Sequence, residues 1–77
     1  MYYVYIIRNN IRNKIYIGYT NDLKRRIREH YSKKPELIYY EAYKSKLDAQ
    51  ERERKLKDRG QSIRWLKVRI KNSLKKI

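Results

Sequence analysis

The sequence predicts an α+β fold, namely a three-stranded, mostly antiparallel sheet flanked by three helices in the order β-β-α-β-α-α. Three observations support this prediction. Two segments rich in tyrosine, isoleucine and valine lie on either side of a short asparagine-rich connection near the start of the chain. A third β-rich segment follows later. Apolar residues elsewhere recur at the three- and four-residue spacing of amphipathic helices. The 77 residues are expected to form one domain, over residues 1–77.

The first two strands are predicted over residues 2–8 and 14–19, and the connection over residues 9–13 joins them into an antiparallel hairpin. Both faces of the first strand are partly apolar, which indicates that the hairpin lies near the centre of the sheet. The third strand is predicted over residues 37–43, where β-forming residues predominate again.

The first helix is predicted over residues 21–32. The polar cluster at residues 20–22 is typical of a helix N-terminus, because such side chains accept hydrogen bonds from the first backbone N–H groups. Behind it, Leu23, Ile27 and Tyr31 recur every four residues and predict one apolar stripe.

Two more helices are predicted over residues 46–58 and 62–75. Ser45 begins a capping-box-like sequence, and Gly60 is expected as the C′ residue of the second helix. Trp65 and the nine tyrosines are expected to supply much of the buried area, since the chain has no phenylalanine. The apolar face of the third helix consists of Ile63, Leu66, Ile70 and Leu74.

The charge of the chain favours a polyanionic partner. There are 22 Lys and Arg against 8 Asp and Glu, a net charge of +14, which destabilises a compact domain unless anions offset it. The basic residues form two runs, and together they predict a phosphate-binding surface. The first run contains Lys24, Arg25, Arg26 and Arg28, and the second contains Arg59, Arg64, Lys67, Arg69, Lys71, Lys75 and Lys76.

A membrane is not expected as the partner. No apolar run approaches the roughly 20 residues that a membrane span needs. The apolar opening residues 1–7 are too short and too aromatic for a signal sequence, and we expect a cytoplasmic protein.

Any metal site must use oxygen ligands. The chain has no cysteine and a single histidine, His30, which excludes thiolate and histidine-cluster sites. Oxygen ligands favour Mg²⁺ or Mn²⁺.

Two short motifs and a helix carry a family resemblance. Tyr3-Val4-Tyr5 is followed after ten residues by Tyr16-Ile17-Gly18, then by Arg26 eight residues later and His30 one helical turn beyond. Farther along, Arg52-Glu53 followed by Leu56-Lys57 looks like a glutamate-bearing helix. The chain thus resembles the GIY-YIG nuclease family, and it is most similar to the small single-domain bacterial members.

The resemblance implies an endonuclease that cuts DNA with one Mg²⁺ or Mn²⁺ ion. It makes Tyr5 and Tyr16 the two motif tyrosines, Arg26 the catalytic arginine, Glu53 the metal ligand and His30 an auxiliary residue. Gly18 closes the second motif, and its missing side chain is expected to let phosphate approach the backbone. The first motif begins with Tyr3 where the name-giving pattern has glycine. Asn72 is the only candidate for the C-terminal asparagine of the family, although it lies farther beyond the glutamate than the pattern leads us to expect.

The expected chemistry is hydrolysis of one phosphodiester per site. A tyrosine has an ordinary pKa near 10 and is therefore a poor base at neutral pH, but surrounding cations favour its phenolate. Our hypothesis is that Tyr5 or Tyr16 orients or deprotonates the water. Arg26 would stabilise the transition state, and the ion on Glu53 would activate the leaving 3′ oxygen. The resemblance implies 3′-hydroxyl and 5′-phosphate products.

Plainer interpretations stay open. Arg26 could be a solvated helix arginine, and Glu53 could form only an i, i+4 salt bridge with Lys57. The whole chain could be a nucleic-acid-binding module with weak or lost cleavage, or an RNA- or ribosome-associated protein. Branched or single-stranded DNA is the expected preference, on a binding surface that includes Lys24, Arg25, Arg28, Arg64 and Lys67.

Overall fold

The computed structural model describes residues 1–58 and 60–75. Arg59 and Lys76, two members of the second basic run, lie outside the described residues. Three strands are present: β1 (Tyr2–Asn9), β2 (Lys14–Thr20) and β3 (Pro35–Tyr43). The helices are α1 (Leu23–Glu29), α2 (Lys46–Lys57), α3 (Gln61–Arg69) and α4 (Lys71–Leu74), with a 3₁₀ turn over Tyr31–Lys33. The predicted α+β class and element order are confirmed.

The sheet has the order β2-β1-β3, and both pairings are antiparallel. β1 is therefore the central strand, as its apolar faces predict, whereas β2 lies at the edge. Asn9 closes the hairpin, because its side-chain oxygen accepts hydrogen bonds from the backbone N–H groups of Ile11 (2.9 Å) and Arg12 (3.2 Å). The register of the hairpin places Tyr5 opposite Gly18 and Ile7 opposite Tyr16.

Helices cover the two faces of the sheet unequally. Successive residues of a strand point to opposite faces. One face of β1 packs on α2, α3 and α4 in an aliphatic core of Val4, Ile6, Ala49, Leu56, Leu66 and Ile70. The other face carries Tyr5 and Ile7, and α1 lies over it. No helix among the described residues is long and apolar enough to cross a membrane.

The third predicted helix is divided in two. α3 ends at Arg69, the backbone of its C-cap Ile70 is not helical (φ −108°, ψ 27°), and the four-residue α4 follows. The predicted apolar face is nevertheless kept, since Leu66 and Ile70 are buried and Ile63 and Leu74 pack against them. α4 is tied to the sheet because the guanidinium of Arg8 donates to the carbonyl of Leu74.

Three expectations about individual residues are wrong. Trp65 is 69% exposed, because it lies about 200° around α3 from Ile63, on the side away from the core. Tyr31 is 80% exposed, because α1 ends at Glu29 and the 3₁₀ turn breaks the four-residue stripe. Among the tyrosines only Tyr5 is fully buried, so aliphatic side chains supply most of the core.

Gly60 is also not the C′ residue of α2. It is the N-cap of α3, with an extended φ of −93°, and α2 ends at its C-cap Asp58. The predicted starts of the other helices agree with the structure. Asp22 caps α1 by accepting from the backbone N–H of Arg25, and Ser45 caps α2 by accepting from that of Asp48.

Candidate active site

Tyr5 and Gly18 form a matched pair on neighbouring strands. Tyr5 is buried, with 2% of its surface exposed, and its phenol lies across the backbone of Gly18. A Cβ atom at position 18 would overlap the Tyr5 ring and hydroxyl. The missing side chain of Gly18 thus makes room for the phenol of Tyr5, so the space predicted for an approaching phosphate is already occupied.

Arg26 is held on the hydroxyl of Tyr5. Its Nε donates a hydrogen bond to Tyr5 Oη (3.0 Å), and its Nη1 donates to Glu29 Oε1 (3.0 Å). These two hydrogen bonds, that with Tyr5 foremost, raise the pKa of Arg26 above its ordinary value, so the guanidinium keeps its charge. The side chain is 45% exposed, so one edge of the guanidinium is fixed and the other is accessible to a ligand.

The exposed part of Arg26 lines a cleft at the edge of the sheet, which we call the arginine cleft. Because β2 is an edge strand, side chains from the α1 layer and from the α2 layer can meet beyond it. The arginine cleft has a volume of about 390 Å³ and is lined by Tyr19, Thr20, Asn21, Arg25, Arg26, Glu29, Lys46 and Gln50.

Tyr16 borders a second concavity along the same strand, which we call the tyrosine groove. The groove has a volume of about 700 Å³ and is bordered by β2, the end of α2 and α3. Tyr16 is 36% exposed, and the Nζ of Lys33 lies 5.4 Å from its ring centroid, within cation–π distance. The groove is lined by Ile15, Tyr16, Ile17, Leu56, Lys57, Gly60, Ile63, Arg64 and Lys67.

Glu53 occupies a position on α2 between these two concavities. Residues three or four apart share a helix face, so Lys46, Gln50, Glu53 and Lys57 form one stripe. The first two of these residues line the arginine cleft and the last lines the tyrosine groove. Glu53 therefore lies on the stripe of α2 that borders both concavities. Its side chain is only 24% exposed, and its Oε2 lies 3.3 Å from the Nζ of Lys57.

The described residues contain no group of three or more His, Cys, Asp or Glu side chains that could hold a metal ion. The donors near Glu53 therefore do not form an all-protein cage. A single carboxylate does fit Mg²⁺, which usually keeps several waters and takes only one or two carboxylates from the protein. Glu53 fits this requirement once the ammonium of Lys57 moves aside.

His30 lies at the C-cap of α1, one turn beyond Arg26, and is partly buried. Burial, and then the positive charges of Lys33 and Arg26, lower its pKa below the ordinary value. The lowered pKa favours the neutral form of the imidazole, in which one ring nitrogen is a proton acceptor.

The remaining sequence-predicted residues lie in four places. Arg64 and Lys67 line the tyrosine groove and Arg25 lines the arginine cleft. Lys24 and Arg28 line a separate cleft next to the 3₁₀ turn. Asn72 is exposed on α4, which packs against β3 at the opposite edge of the sheet, so the structure does not bring it to the other candidates.

Sequence reasoning missed an ion-pair network next to Glu53. Arg52 donates from Nε and Nη2 to both carboxylate oxygens of Glu41, at 3.0 to 3.2 Å. Tyr39 also donates to Glu41 (2.7 Å), as does Tyr43. The alternation of Tyr39, Glu41 and Tyr43 along β3 places them on one face, which was a signal, but their partner on α2 was not apparent from the sequence.

The network is electrostatically coupled. Burial and the hydrogen bond to Glu41 raise the pKa of both Tyr39 and Tyr43 to about 12. Burial alone would raise the pKa of Glu41, but hydrogen bonds from Arg52 and the two tyrosines outweigh it, and the pKa is lowered. The hydrogen bond to Glu41 raises the pKa of Arg52. This network links α2 to β3 through the residue that precedes Glu53.

The chain is thus a small α+β domain with a tyrosine-bound arginine, an exposed tyrosine and a half-buried carboxylate. Comparison with known families agrees: the model of the GIY-YIG catalytic domain matches residues 1–67, and the chain belongs to the GIY-YIG family. This confirms the resemblance predicted from the motifs. No curated protein and no solved structure matches the chain. GIY-YIG domains are endonucleases that act on nucleic acid and generally depend on a metal ion.

Proposed function

We propose that this chain is a metal-dependent endonuclease that hydrolyses DNA phosphodiester bonds, making one cut per site. The observation that carries the proposal is the hydrogen bond from Arg26 to the buried hydroxyl of Tyr5. A surface arginine with a purely solubilising role gains nothing from being anchored on a buried phenol. An arginine that must meet a phosphate in a fixed orientation does.

Arg26 is proposed to bind the scissile phosphate and to stabilise the charge that develops on it. Its Nε donates a hydrogen bond to Tyr5, whereas its Nη2 carries no hydrogen bond to any residue that the structure describes. The pair with Glu29 is an exposed i, i+3 ion pair, which is weak and easily exchanged for a phosphate. Exchange would leave both terminal nitrogens for the fork-like contact that guanidinium groups make with phosphate oxygens.

The two motif tyrosines are proposed to have different roles. The hydroxyl of Tyr5 is buried and accepts from Arg26, so we assign it to positioning the guanidinium. Tyr16 is exposed beside the tyrosine groove, so we assign it to orienting the attacking water. The neutral imidazole of His30 at the end of the same helix as Arg26 could receive the proton of that water.

Glu53 is proposed to hold the divalent ion, Mg²⁺ or Mn²⁺. When bound, such an ion would neutralise phosphate charge and stabilise the leaving oxygen. The low exposure of Glu53 supports this assignment, because a half-buried carboxylate is more costly without a cation than an exposed one. In the absence of the ion, Lys57 provides that cation.

The test is a nicking assay on supercoiled and branched DNA, with Mg²⁺ and with chelator. We expect cutting only with the metal, and we expect Arg26→Ala and Glu53→Ala each to lower the rate by about 10²-fold or more while DNA binding persists. Arg12→Ala and Glu51→Ala are the matched controls. Arg12 lies in the exposed hairpin turn, and Glu51 forms the same i, i+4 pair on α2, with Lys55 at 3.3 Å, but is 56% exposed.

Equal rates for Glu53→Ala and Glu51→Ala would exclude Glu53 from the reaction. Binding to DNA without a cut, by the wild-type protein and under every condition, would favour a binding module whose cleavage is lost. The neutralisation of Glu53 by Lys57 is the observation that favours this second candidate. Tighter binding to RNA than to DNA would favour an RNA-associated role.

A further inference from the structure

The tyrosine groove combines an apolar floor with a cationic rim. Lys57, Arg64 and Lys67 are the charged residues of the rim, and the lining residues that the structure describes include no acidic side chain. The floor is open to solvent at the sheet edge, where Ile15 is 37% exposed. The floor is formed by Ile15, Ile17, Leu56 and Ile63.

We propose that the tyrosine groove binds an unpaired nucleotide of the DNA strand that is cut, with the base on the apolar floor and its phosphates on the rim. This inference rests on the proposed endonuclease function and names its substrate class. In a paired duplex the base faces are stacked on one another, and a protein meets mainly the charged backbone. Only an unpaired base can place its apolar face on the isoleucine and leucine side chains of this floor.

The size and position of the groove agree with this occupant. Its volume of about 700 Å³ lies in the range of pockets for small ligands, about 300–1,000 Å³, so it fits a nucleotide better than a duplex. Arg64 and Lys67 are three residues apart on α3 and share one face, where they can reach successive phosphates. Lys57 connects the groove with Glu53, since their charged atoms lie 3.3 Å apart. A nucleotide in the groove would therefore adjoin the proposed site of cutting.

The test measures binding by fluorescence anisotropy in the presence of chelator, so that no strand is cut. Four labelled probes share one sequence: a single strand, its matched duplex, the duplex with a single-stranded flap, and a single strand of RNA. We expect the single strand and the flap to bind more tightly than the matched duplex. A matched duplex bound as tightly as the single strand overturns the inference. So does an RNA strand bound more tightly than both the DNA single strand and the flap.

The floor is tested with Ile15→Ser, and Ile11→Ser is its control. Both residues are exposed isoleucines of the hairpin, but Ile11 lies in the turn, outside the groove. We expect Ile15→Ser to weaken single-strand and flap binding at least about fivefold, the factor that corresponds to about 1 kcal/mol of lost base contact. Duplex binding should change as little as it does in Ile11→Ser. Equal losses on all probes, or none, would contradict a base-binding floor.

The rim is tested with Lys67→Gln against Lys71→Gln, which removes the same charge from α4, outside the groove. Lys67→Gln should weaken single-strand binding more than Lys71→Gln does, and equal effects would contradict the assignment of Lys67. The inference and the proposed function fail separately. If Ile15→Ser binds the single strand and the flap as tightly as the wild type does, and the wild type nicks DNA, the inference fails and the proposed function stands. Selective single-strand binding without any metal-dependent cut overturns the proposed function.

Discussion

Replacing Gly18 by alanine tests the central pair of the candidate site. The added Cβ would overlap the hydroxyl and ring of Tyr5, which is buried and cannot leave its position freely. Overpacking of this kind costs about 1–3 kcal/mol, and the stiffer unfolded chain of an alanine variant returns about 0.4–1 kcal/mol. We therefore expect a net loss of about 1–2 kcal/mol in the free energy of unfolding.

Gly60→Ala is the matched control. A Cβ at Gly60 would have only a backbone oxygen at 4.0 Å as its nearest neighbour, and the φ of −93° suits alanine. Alanine is a weaker N-cap than glycine, and its stiffer unfolded chain offsets this cost, so the variant should be close to neutral. Urea denaturation followed by circular dichroism measures both variants, and a lower midpoint with an unchanged slope reports lost stability. In thermal melts, each kcal/mol corresponds to a shift of about 4–8 °C in Tm for a domain of this size.

Gly18→Ala should also lose nicking activity, because a displaced Tyr5 hydroxyl no longer holds Arg26. The nicking rate is measured at a temperature where the variant remains folded. Two results would refute the reasoning. One is equal stability of the two alanine variants, which would mean that the phenol of Tyr5 does not need the space above Gly18. The other is full activity of a destabilised Gly18→Ala variant.

Three other predictions follow from the same structure. Arg26→Lys keeps the charge but not the planar fork, so the nicking rate should fall about 10²-fold, while stability should fall by no more than about 1 kcal/mol, the contribution of the hydrogen bond to Tyr5. The lowered pKa of Glu41 means that its pair with Arg52 stabilises the fold above the ordinary pKa of 4.5 and is lost as the pH falls through the folded-state pKa. Urea midpoints should therefore drop in acid for the wild type and less for Glu41→Gln. The raised pKa of Tyr43, about 12 against 10.0, stabilises the fold fully below pH 10, and this contribution is lost between pH 10 and 12. Tyr43→Phe should lose less stability over that interval, and an equal loss would contradict the assignment.

The parts of the site that depend on local spacing could be predicted from the sequence. The short asparagine-rich turn fixes the register of the hairpin, and the register sets Tyr5 opposite Gly18. The cap at Asp22 fixes where α1 begins, and so which of its arginines faces the sheet. Tyr5 and Arg26 are 21 residues apart. The chain between them runs through the hairpin turn, β2 and the capped start of α1, so local signals set their relative position.

Features that depend on how elements pack could not be predicted in this way. Trp65 is the largest side chain of α3 and mostly apolar, and its exposure follows from which stripe of the helix reaches the core. The ion pair of Glu41 and Arg52 likewise depends on the face that α2 presents to β3. Helical periodicity shows that a buried face exists. The contacts of side chains at the border of that face can be predicted only when the position of the partner strand is known.

The sequence allows two interpretations of Glu53, as a metal ligand and as a salt-bridge partner of Lys57, and the structure shows that the two are compatible. The pair of Glu51 and Lys55 has the same spacing and the same 3.3 Å distance as that of Glu53 and Lys57, so the salt bridge alone does not distinguish the two glutamates. Their exposure does, since 56% of the Glu51 side chain is exposed against 24% for Glu53. A partly buried carboxylate is costly without a nearby cation. The flexible side chain of Lys57 supplies this cation and is able to move away when a metal ion binds. The salt bridge is therefore what a metal-binding glutamate on this helix is expected to form before the ion arrives.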